Sequence, residues 1–318
     1  MTESIEMDVA VLQFDPLCAF DETSRTRNLT CIENAMRHAY RRTEDRLIDI
    51  WVLPELATCG YPTYHQGRVR RPIGEPLHGP SATFFENLCL QHQTSIAWGF
   101  AHAEKPTVPP IIAAAFSWPT SSSEAKTEIL AEKSVRAGDL ERTCFDAGSR
   151  PWGVVDAGAL QVGAAICADL EEPEVRQDLA REGPNLVLHL ANATLNWHKT
   201  TLPAWAKEKG LYCVTANRSG TWLDDHGDEH TFLGESQVVG PSGAGVRLTQ
   251  AGDAIVDFAE GQPDQRRDDA HPLTCPPGDA VVLRVRLRFS AGEDQLLRAE
   301  GPPTLVLPRP GHCPSTSN

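Results

Sequence analysis

One stretch of the chain reads Leu160-Gln-Val-Gly-Ala-Ala-Ile-Cys167-Ala-Asp-Leu-Glu-Glu-Pro173-Glu174. Its apolar run from Val162 to Ile166 predicts a short buried strand. Pro173 and the acidic residues beside it are typical of a helix start, where proline costs no hydrogen bond and carboxylates face the positive end of the helix dipole. Cys167 therefore lies on a sharp turn between a strand and a helix, and we expect the helix start to favour its thiolate form.

Two other apolar runs end in ionisable residues. The first is Ile48-Asp-Ile-Trp-Val-Leu-Pro-Glu55, which ends in a carboxylate before the turn at Gly60-Tyr61. The second is Ile129-Leu-Ala-Glu-Lys133, which ends in a lysine and is followed by Glu141. Strand ends are where open α/β sheets place their sites. An acid, a lysine and a thiol gathered there provide the groups that amide hydrolysis through a thioester requires.

These blocks, in this order, resemble the nitrilase superfamily of carbon–nitrogen hydrolases. The resemblance implies that Glu55 is the general base, Lys133 the catalytic lysine, Cys167 the nucleophile and Glu141 the glutamate that orients the lysine. In such a mechanism Lys133 and the backbone N–H of Ala168 would hold the oxyanion. The implied fold is α/β, a four-layer αββα sandwich of two stacked mixed sheets with helices outside.

Other segments both extend the resemblance and depart from it. The segments 216–220 and 234–243 resemble two downstream structural blocks of the family. After the lysine the family often has a histidine and an aliphatic residue, where this chain has Val135 and Arg136. After the cysteine it often has an aromatic residue, where this chain has Ala168. None of these changes removes a catalytic group, so they indicate an outlying branch with a reshaped pocket.

The residues after the cysteine restrict the substrate. True nitrilases in the superfamily usually have Cys-Trp-Glu, and the sequence Cys167-Ala-Asp here is more similar to the amidase and carbamoylase branches. Members that bind N-carbamoyl amino acids carry arginines three and four positions after the cysteine, where this chain has Leu170 and Glu171. We therefore expect a small amide that is neutral or cationic, with Glu171 or Glu172 near the mouth of the pocket. The alternative is that both acids only cap the helix that begins at Pro173.

Three more residues are candidates for the substrate pocket: Tyr61, Asn192 and Trp197. The sequence leaves open whether Trp197 and Trp205 wall the pocket or pack in the core. It also leaves open three alternatives to amide hydrolysis, which are acyl transfer from the same thioester, nitrile hydrolysis and a catalytically silent binding protein of the same fold.

Composition bounds the partners and the compartment. The 318 residues carry a net charge of −14, which argues against nucleic acid or an anionic membrane as a partner. The N-terminal residues show no signal peptide, and no apolar run approaches membrane-spanning length. Nine cysteines without paired spacing are typical of reduced thiols. We expect a cytoplasmic enzyme whose partner is a small-molecule amide.

No cofactor or metal is expected. The sequence has no phosphate-binding loop and no Gly-x-Gly-x-x-Gly segment. His226 and His230 lie in an acidic stretch without the usual Cys/His ligand spacing, so we interpret that stretch as a solvated loop. The glycines at 241–245 indicate a hairpin turn instead of a nucleotide site.

Hydrophobic periodicity predicts alternating helices and strands. This order implies sheets whose outer faces are covered by helices. We expect a hydrolase domain at 5–290, with a polar linker at 262–269, and a Pro-rich extension at 291–318 whose end is an arm or disordered tail. In this family such extensions often pack on a partner subunit, so we expect a homodimer or larger homo-oligomer. The predicted helices are 28–42, 81–92, 174–182 and 199–209, and the predicted strands are 8–14, 48–53, 95–101, 111–118, 162–166, 186–190, 212–216, 237–240, 254–258 and 281–287.

Overall fold

The computed structural model describes residues 4–42, 47–157, 160–250, 252, 254–258, 273–275, 280–291 and 297–305. The helices within these residues are α1 Glu22–Arg42, α2 Pro80–His92, α3 Gly138–Cys144, α4 Pro173–Arg181 and α5 Trp197–Lys209, with a 3-10 turn at Cys167–Glu171. The strands are β1 Ser4–Gln13, β2 Ile50–Val52, β3 Thr63–His65, β4 Arg68–Arg70, β5 Ser95–His102, β6 Ile111–Pro119, β7 Ala125–Glu132, β8 Trp152–Ala157, β9 Leu160–Ile166, β10 Leu186–Ala191, β11 Tyr212–Asn217, β12 Thr221–Leu223, β13 Glu229–Thr231, β14 Gln237–Val239, β15 Gly245–Leu248, β16 Ala254–Phe258, β17 Leu273–Cys275, β18 Ala280–Ala291 and β19 Leu297–Leu305.

Two large mixed sheets contain most of these strands. The first has the order β17-β18-β1-β2-β5-β6-β7, with β19 also paired to β18. The second has the order β16-β15-β14-β11-β10-β9-β8. Parallel pairs join β1, β2 and β5 in the first sheet and β9, β10 and β11 in the second. Glu55 and Cys167 therefore follow parallel strands at the centre of the two sheets, whereas Lys133 follows β7, an antiparallel strand at the edge of the first sheet.

The two sheets stack face to face over a shared core. Alternate residues of central strands point into it, such as Val9 and Val11 from β1 and Leu186, Leu188 and Leu190 from β10, and all five are fully buried. This alternation is the period-two pattern of strands with two different faces. One inner core cluster thus joins both sheets, which confirms the stacked arrangement.

Helices cover the outer faces. On the first sheet, Ile32 and Met36 of α1 pack with Phe85 of α2 in a second cluster. On the second sheet, Leu179 of α4 and Leu202 of α5 pack in a third cluster with the outward residues of β10 and β11. The four layers are therefore helices, sheet, sheet and helices, and the predicted αββα sandwich is confirmed.

Most of the predicted elements are confirmed, and one end of the chain differs. Strand β18 is longer than predicted because it pairs with β1 over ten residues. Part of the predicted Pro-rich extension at 291–318 is a strand, because residues 297–305 form β19 and pair with β18. The predicted linker at 262–269 and the rest of the tail, 306–318, lie outside the described residues. None of the described helices has the length and apolar character needed to cross a membrane.

Candidate active site

Glu55 lies in the turn after β2, and the neighbouring strand β5 approaches this turn closely. A Cβ atom added to Gly99 would lie 2.5 Å from the backbone nitrogen of Leu56 and 2.8 Å from the Cα of Glu55. Only glycine leaves room for this approach, because any side chain would displace the turn. Leu56 has a φ of 55°. The carboxylate of Glu55 is fully buried, so the backbone of β5 fixes its position between the sheets.

Lys133 follows β7 and joins Glu55 and Glu141 in one buried cluster. Its Nζ donates to Glu55 Oε1 at 2.7 Å and to Glu141 Oε1 at 3.0 Å. Glu141, on the short helix α3, also accepts from the backbone N–H of Ala137 at 2.8 Å through its other oxygen. Lys133 and Glu55 are fully buried and Glu141 is 2% exposed. The structure therefore brings together the three charged residues that the sequence singled out, at hydrogen-bond distances.

Burial controls the pKa of two of these groups in opposite ways. Burial raises the pKa of Glu55 to about 7, and the positive charge of Lys133 limits that rise. Burial alone would lower the pKa of Lys133, but the negative charges of Glu141 and Glu55 outweigh it, so the pKa lies well above its usual range. A carboxyl group whose pKa lies near neutral pH, beside an ammonium group that stays charged, is suited to take and return protons at physiological pH.

Cys167 lies where β9 ends and the 3-10 turn begins. Its φ of 45° is in the left-handed region, which is rare outside glycine and is common at strained functional turns. The side chain is 5% exposed and packs with the inner core cluster. The Glu55 carboxylate and the backbone N–H of Asn192 lie close enough to the sulfur to act on the pKa of the thiol. The nucleophile candidate thus meets the base candidate at the interface between the sheets.

The expectation that the helix start favours a thiolate is wrong. Burial raises the pKa of the Cys167 thiol above its usual range; the charge of Lys133 opposes this rise, and the charges of Glu55 and Glu141 add to it. At rest the sulfur therefore keeps its proton, and an attack by it needs a base to accept that proton.

Asp169 connects the two sheets beside the site. Its Oδ1 accepts from the backbone N–H of Ser134 at 3.1 Å, from the Ser134 hydroxyl at 2.8 Å and from the backbone N–H of Val135 at 2.8 Å. The loop after Lys133 is therefore held to the turn that carries Cys167. The sequence block contained Asp169, but sequence reasoning gave it no role.

Three pocket candidates lie in different surroundings. Tyr61 is 7% exposed, and the charges of Glu141 and Lys133 act on its hydroxyl, which places it beside the cluster. When the side-chain amide of Asn192 is oriented so that its nitrogen faces the neighbouring carbonyl oxygens, it donates to the backbone carbonyl of Glu55 at 3.1 Å. Trp197 packs with the outer cluster of the second sheet, edge-to-face on His189 at 5.4 Å between ring centroids.

The two acids after the nucleophile lie at the surface. Glu171 and Glu172 are both exposed. Partial burial, and then the neighbouring charge of Glu172, raise the pKa of Glu171. Glu172 occupies the cap position of α4, but its side chain makes no capping hydrogen bond. The geometry of the described residues therefore gives no support to the capping alternative for Glu172.

The downstream block at 216–220 is a polar support between the sheets. Asn217 is fully buried and its side chain accepts from the Ala193 N–H at 2.7 Å and donates to the Gly234 carbonyl at 2.6 Å. Its backbone N–H donates to the Ser236 hydroxyl at 3.0 Å. Such fully paired buried groups fix the loops that they join. This segment holds the loop after β10, which contains Asn192.

The histidines of the acidic stretch belong to an exposed hairpin of β12 and β13. His230 lies 2.8 Å from the Asp224 carboxylate through its Nε2, and both histidines are exposed. In the described part of the chain, no group of three or more His, Cys, Asp or Glu side chains is arranged to hold a metal ion. Seven of the cysteines within it are free thiols: Cys18, Cys31, Cys59, Cys89, Cys144, Cys167 and Cys213.

Comparisons with known proteins agree with this geometry. A family model described as carbon-nitrogen hydrolase matches residues 8–255. An (R)-stereoselective amidase from Pseudomonas sp. is 28% identical over 202 residues, which are 61% of this chain and 66% of the amidase. A nitrilase from Pyrococcus abyssi is 30% identical over 120 residues, which are 38% of this chain and 44% of the nitrilase. The matched stretches thus span less than two thirds of either relative.

Among solved structures, a double mutant of the amidase from Nesterenkonia sp. AN1 in complex with acrylamide has a TM-score of 0.60. The two chains are 21% identical, and the match covers 83% of this chain and 92% of that one. At this identity the likeness shows the fold. Because the family model covers most of the chain, this protein belongs to the carbon–nitrogen hydrolase family of the nitrilase superfamily.

Proposed function

We propose that this protein hydrolyses a non-peptide C–N bond in a small linear amide through a thioester on Cys167, releasing ammonia or an amine. The observation that carries the proposal is the buried cluster in which Lys133 binds both Glu55 and Glu141 beside the Cys167 thiol. Burying three ionisable groups around a thiol costs folding free energy, and such arrangements are typical of functional sites. The Nesterenkonia amidase binds acrylamide and butyramide, which are small linear amides, and this supports the proposed size of the substrate.

In the proposed first step the sulfur of Cys167 attacks the amide carbon while its proton moves to Glu55. A Glu55 pKa of about 7 makes this transfer feasible at neutral pH. The amide oxygen gains negative charge as the carbon becomes tetrahedral. Two of the three N–H groups of Lys133 contact Glu55 and Glu141, which leaves one for this oxyanion. The backbone N–H of Ala168 is the second proposed donor.

The tetrahedral intermediate then collapses to the thioester. The C–N bond breaks, and the proton held by Glu55 passes to the leaving nitrogen as ammonia or an amine departs. Glu55, ionised again, takes a proton from water, and the resulting hydroxide attacks the thioester carbon. The C–S bond breaks, the sulfur recovers the proton from Glu55, and a carboxylic acid leaves. In this scheme Glu141 keeps Lys133 charged and in place.

For the substrate we propose a neutral or cationic amide without an α-carboxylate. The positions three and four residues after Cys167 hold Leu170 and Glu171, which offer no positive charge for a carboxylate. Glu171 and Glu172 are exposed beside the nucleophile turn and would favour a cationic group there. We further propose that the protein is a cytoplasmic homo-oligomer, which size-exclusion chromatography with light scattering would test by giving a mass of at least twice 34.8 kDa.

The first experiment measures ammonia and amine release from a panel of amides, carbamoyl compounds and nitriles, with wild type beside Cys167→Ala. We expect release by wild type from at least one amide and none by Cys167→Ala with an unchanged circular dichroism spectrum. Full activity in Cys167→Ala would contradict the thioester mechanism. Product analysis with an added amine distinguishes hydrolysis from acyl transfer, because a transferase forms the N-substituted amide at the expense of the free acid and a hydrolase forms mainly the acid.

A further inference from the structure

We propose that His189 is a positioning residue that aims the backbone N–H of Ala168 at the oxyanion by holding the carbonyl of Cys167. This inference rests on the proposed function, because it concerns the acyl transfer step at Cys167. Its basis is a hydrogen bond at 3.2 Å between His189 Nε2 and the Cys167 carbonyl oxygen, in surroundings where both residues are buried.

The neighbours of His189 determine which ring nitrogen carries the proton. A carbonyl oxygen only accepts, so Nε2 must be the donor to Cys167. Nδ1 lies 3.2 Å from the hydroxyl of Thr215, which is opposite His189 on the adjacent strand β11. Burial lowers the pKa of His189 to about 3, so the ring is neutral and Nδ1 accepts from that hydroxyl. The Cys167 carbonyl therefore fixes the tautomer, and the Thr215 hydroxyl stabilises the ring in this orientation.

The link from His189 to the oxyanion is the peptide group between Cys167 and Ala168. This group is planar and trans, so its C=O and N–H point in opposite directions. His189 and Thr215 lie on the strand faces that carry Val187 and Cys213, which pack with the outer cluster, whereas the Cys167 side chain packs with the inner cluster. A carbonyl held on the outer side directs the Ala168 N–H toward the inner side, where Glu55 and Lys133 lie.

Two further features fit this role. Ala168 is the second residue of the 3-10 turn, so its N–H has no carbonyl of that turn to bind and is available to a ligand. A hydrogen bond to the carbonyl also polarises the N–H of the same peptide group. The φ of 45° at Cys167 makes the orientation of this peptide costly to maintain without such a contact. Trp197 packs edge-to-face on the ring and restricts its rotation.

The test compares two reactions of the Cys167 thiol. In acylation by p-nitrophenyl acetate, the sulfur forms a bond to the acyl carbon, the thiol proton goes to Glu55, and the C–O bond breaks to release nitrophenolate; this reaction needs the oxyanion donors. Alkylation by iodoacetamide displaces iodide at a CH₂ carbon and forms no oxyanion. A residue that positions only the Ala168 N–H should affect the first rate and not the second.

For His189→Leu we expect the acylation rate to fall about 100-fold, as for loss of one oxyanion donor. Alkylation should stay within about threefold of wild type, because it needs the thiol and its base but no oxyanion donor. His189→Gln, which offers an N–H to Cys167 and an oxygen to Thr215, should recover most of the acylation rate. The matched control is His198→Leu, since His198 is equally buried and donates no hydrogen bond to the nucleophile turn in the described residues; it should leave the ratio of the two rates unchanged.

If His189→Leu does not fold, Thr215→Val provides the same test, because valine keeps the shape and loses the hydroxyl that hydrogen-bonds to Nδ1 and orients the ring. We expect an acylation loss of about tenfold there, and near wild-type rates in Thr215→Ser. Equal losses in acylation and alkylation, no loss in either, or a wild type that the ester does not acylate would overturn the proposal. A wild type that is acylated but releases no ammonia from any amide refutes the proposed function separately.

Discussion

Two pairs of glutamates lie near Cys167, and they carry the same carboxyl group but differ in their exposure to solvent. Glu55 and Glu141 are at most 2% exposed and share the ammonium group of Lys133. Glu171 and Glu172 are exposed at the end of the turn that follows the cysteine. In the proposed mechanism Glu55 transfers protons because desolvation moves its pKa to about 7, and Glu141 holds Lys133 in place. The exposed pair can act only through the electrostatic field that it exerts on an approaching substrate.

The largest effect that separates the pairs is expected from Glu55→Gln. Glutamine cannot accept the thiol proton, so kcat for ammonia release from the best amide should fall about 1000-fold. Glu171→Gln is the matched control, since it makes the same chemical change at an exposed position. Equal activities of the two variants would show that the buried pair has no special role.

Glu141→Gln should have a smaller effect, because Glu141 acts through Lys133. The glutamine oxygen can still accept from the Ala137 N–H, so the fold and Tm should be kept. The loss of charge loosens Lys133, and we expect kcat to fall about tenfold to 100-fold. A parallel measurement of Tm distinguishes this outcome from unfolding; an unchanged kcat would remove Glu141 from the machinery.

The pH dependence of kcat/KM should also distinguish the pairs. The raised pKa of Glu55 means that below about pH 7 the carboxyl is protonated and cannot take the thiol proton. The value of kcat/KM should therefore rise about tenfold per pH unit up to that point and then level. Because the charge of Glu141 contributes to the rise in the pKa of Glu55, Glu141→Gln should move the rising part of the pH profile to lower pH. A pH profile that levels near the ordinary glutamate pKa of 4.5 would contradict the role of buried Glu55 as the base.

The smallest effect is expected at the surface. Glu171→Gln and Glu172→Gln should raise KM for a cationic amide about threefold, as for a screened surface charge pair, and leave KM for a neutral amide unchanged. Raising the salt concentration should reduce the difference in KM between the cationic and the neutral amide, because salt screens the charge interaction. A wild-type preference for the carboxylate analogue would reject the cationic substrate, and equal effects on both amides would point to helix stability instead.

The sequence predicted the layers and the buried cluster because both depend on local patterns. Apolar runs of strand length ended at Glu55, Lys133 and Cys167, and strand ends are where α/β sheets place their sites. The strand pattern did not specify that β2 and β9 lie in different sheets or that β7 is an antiparallel edge strand. The state of the thiol could not be predicted in this way. The helix start suggested a thiolate, but the desolvation that reverses this comes from residues far away in the chain.

Two other residues were missed for related reasons. His189 is one polar residue in the apolar run Leu186–Ala191, and nothing in that run tells which backbone atom its ring meets. Gly99 looks like a weak point in a strand, yet its missing side chain makes room for the Glu55 turn. In both cases the partner comes from another strand, so the contact depends on sheet order and register, which periodicity does not specify. An isolated glycine in a strand was the one available signal of close approach.

The contact of Asp169 with the Lys133 loop has a consequence for motion. The two stacked sheets meet largely through apolar side chains, whose attraction has no preferred direction. Lys133 comes from one sheet and Cys167 from the other, so any sliding would change the distance between them. Asp169 lies two residues from the nucleophile and accepts three hydrogen bonds from Ser134 and Val135. It therefore couples the position of Cys167 to that of Lys133 across the apolar interface.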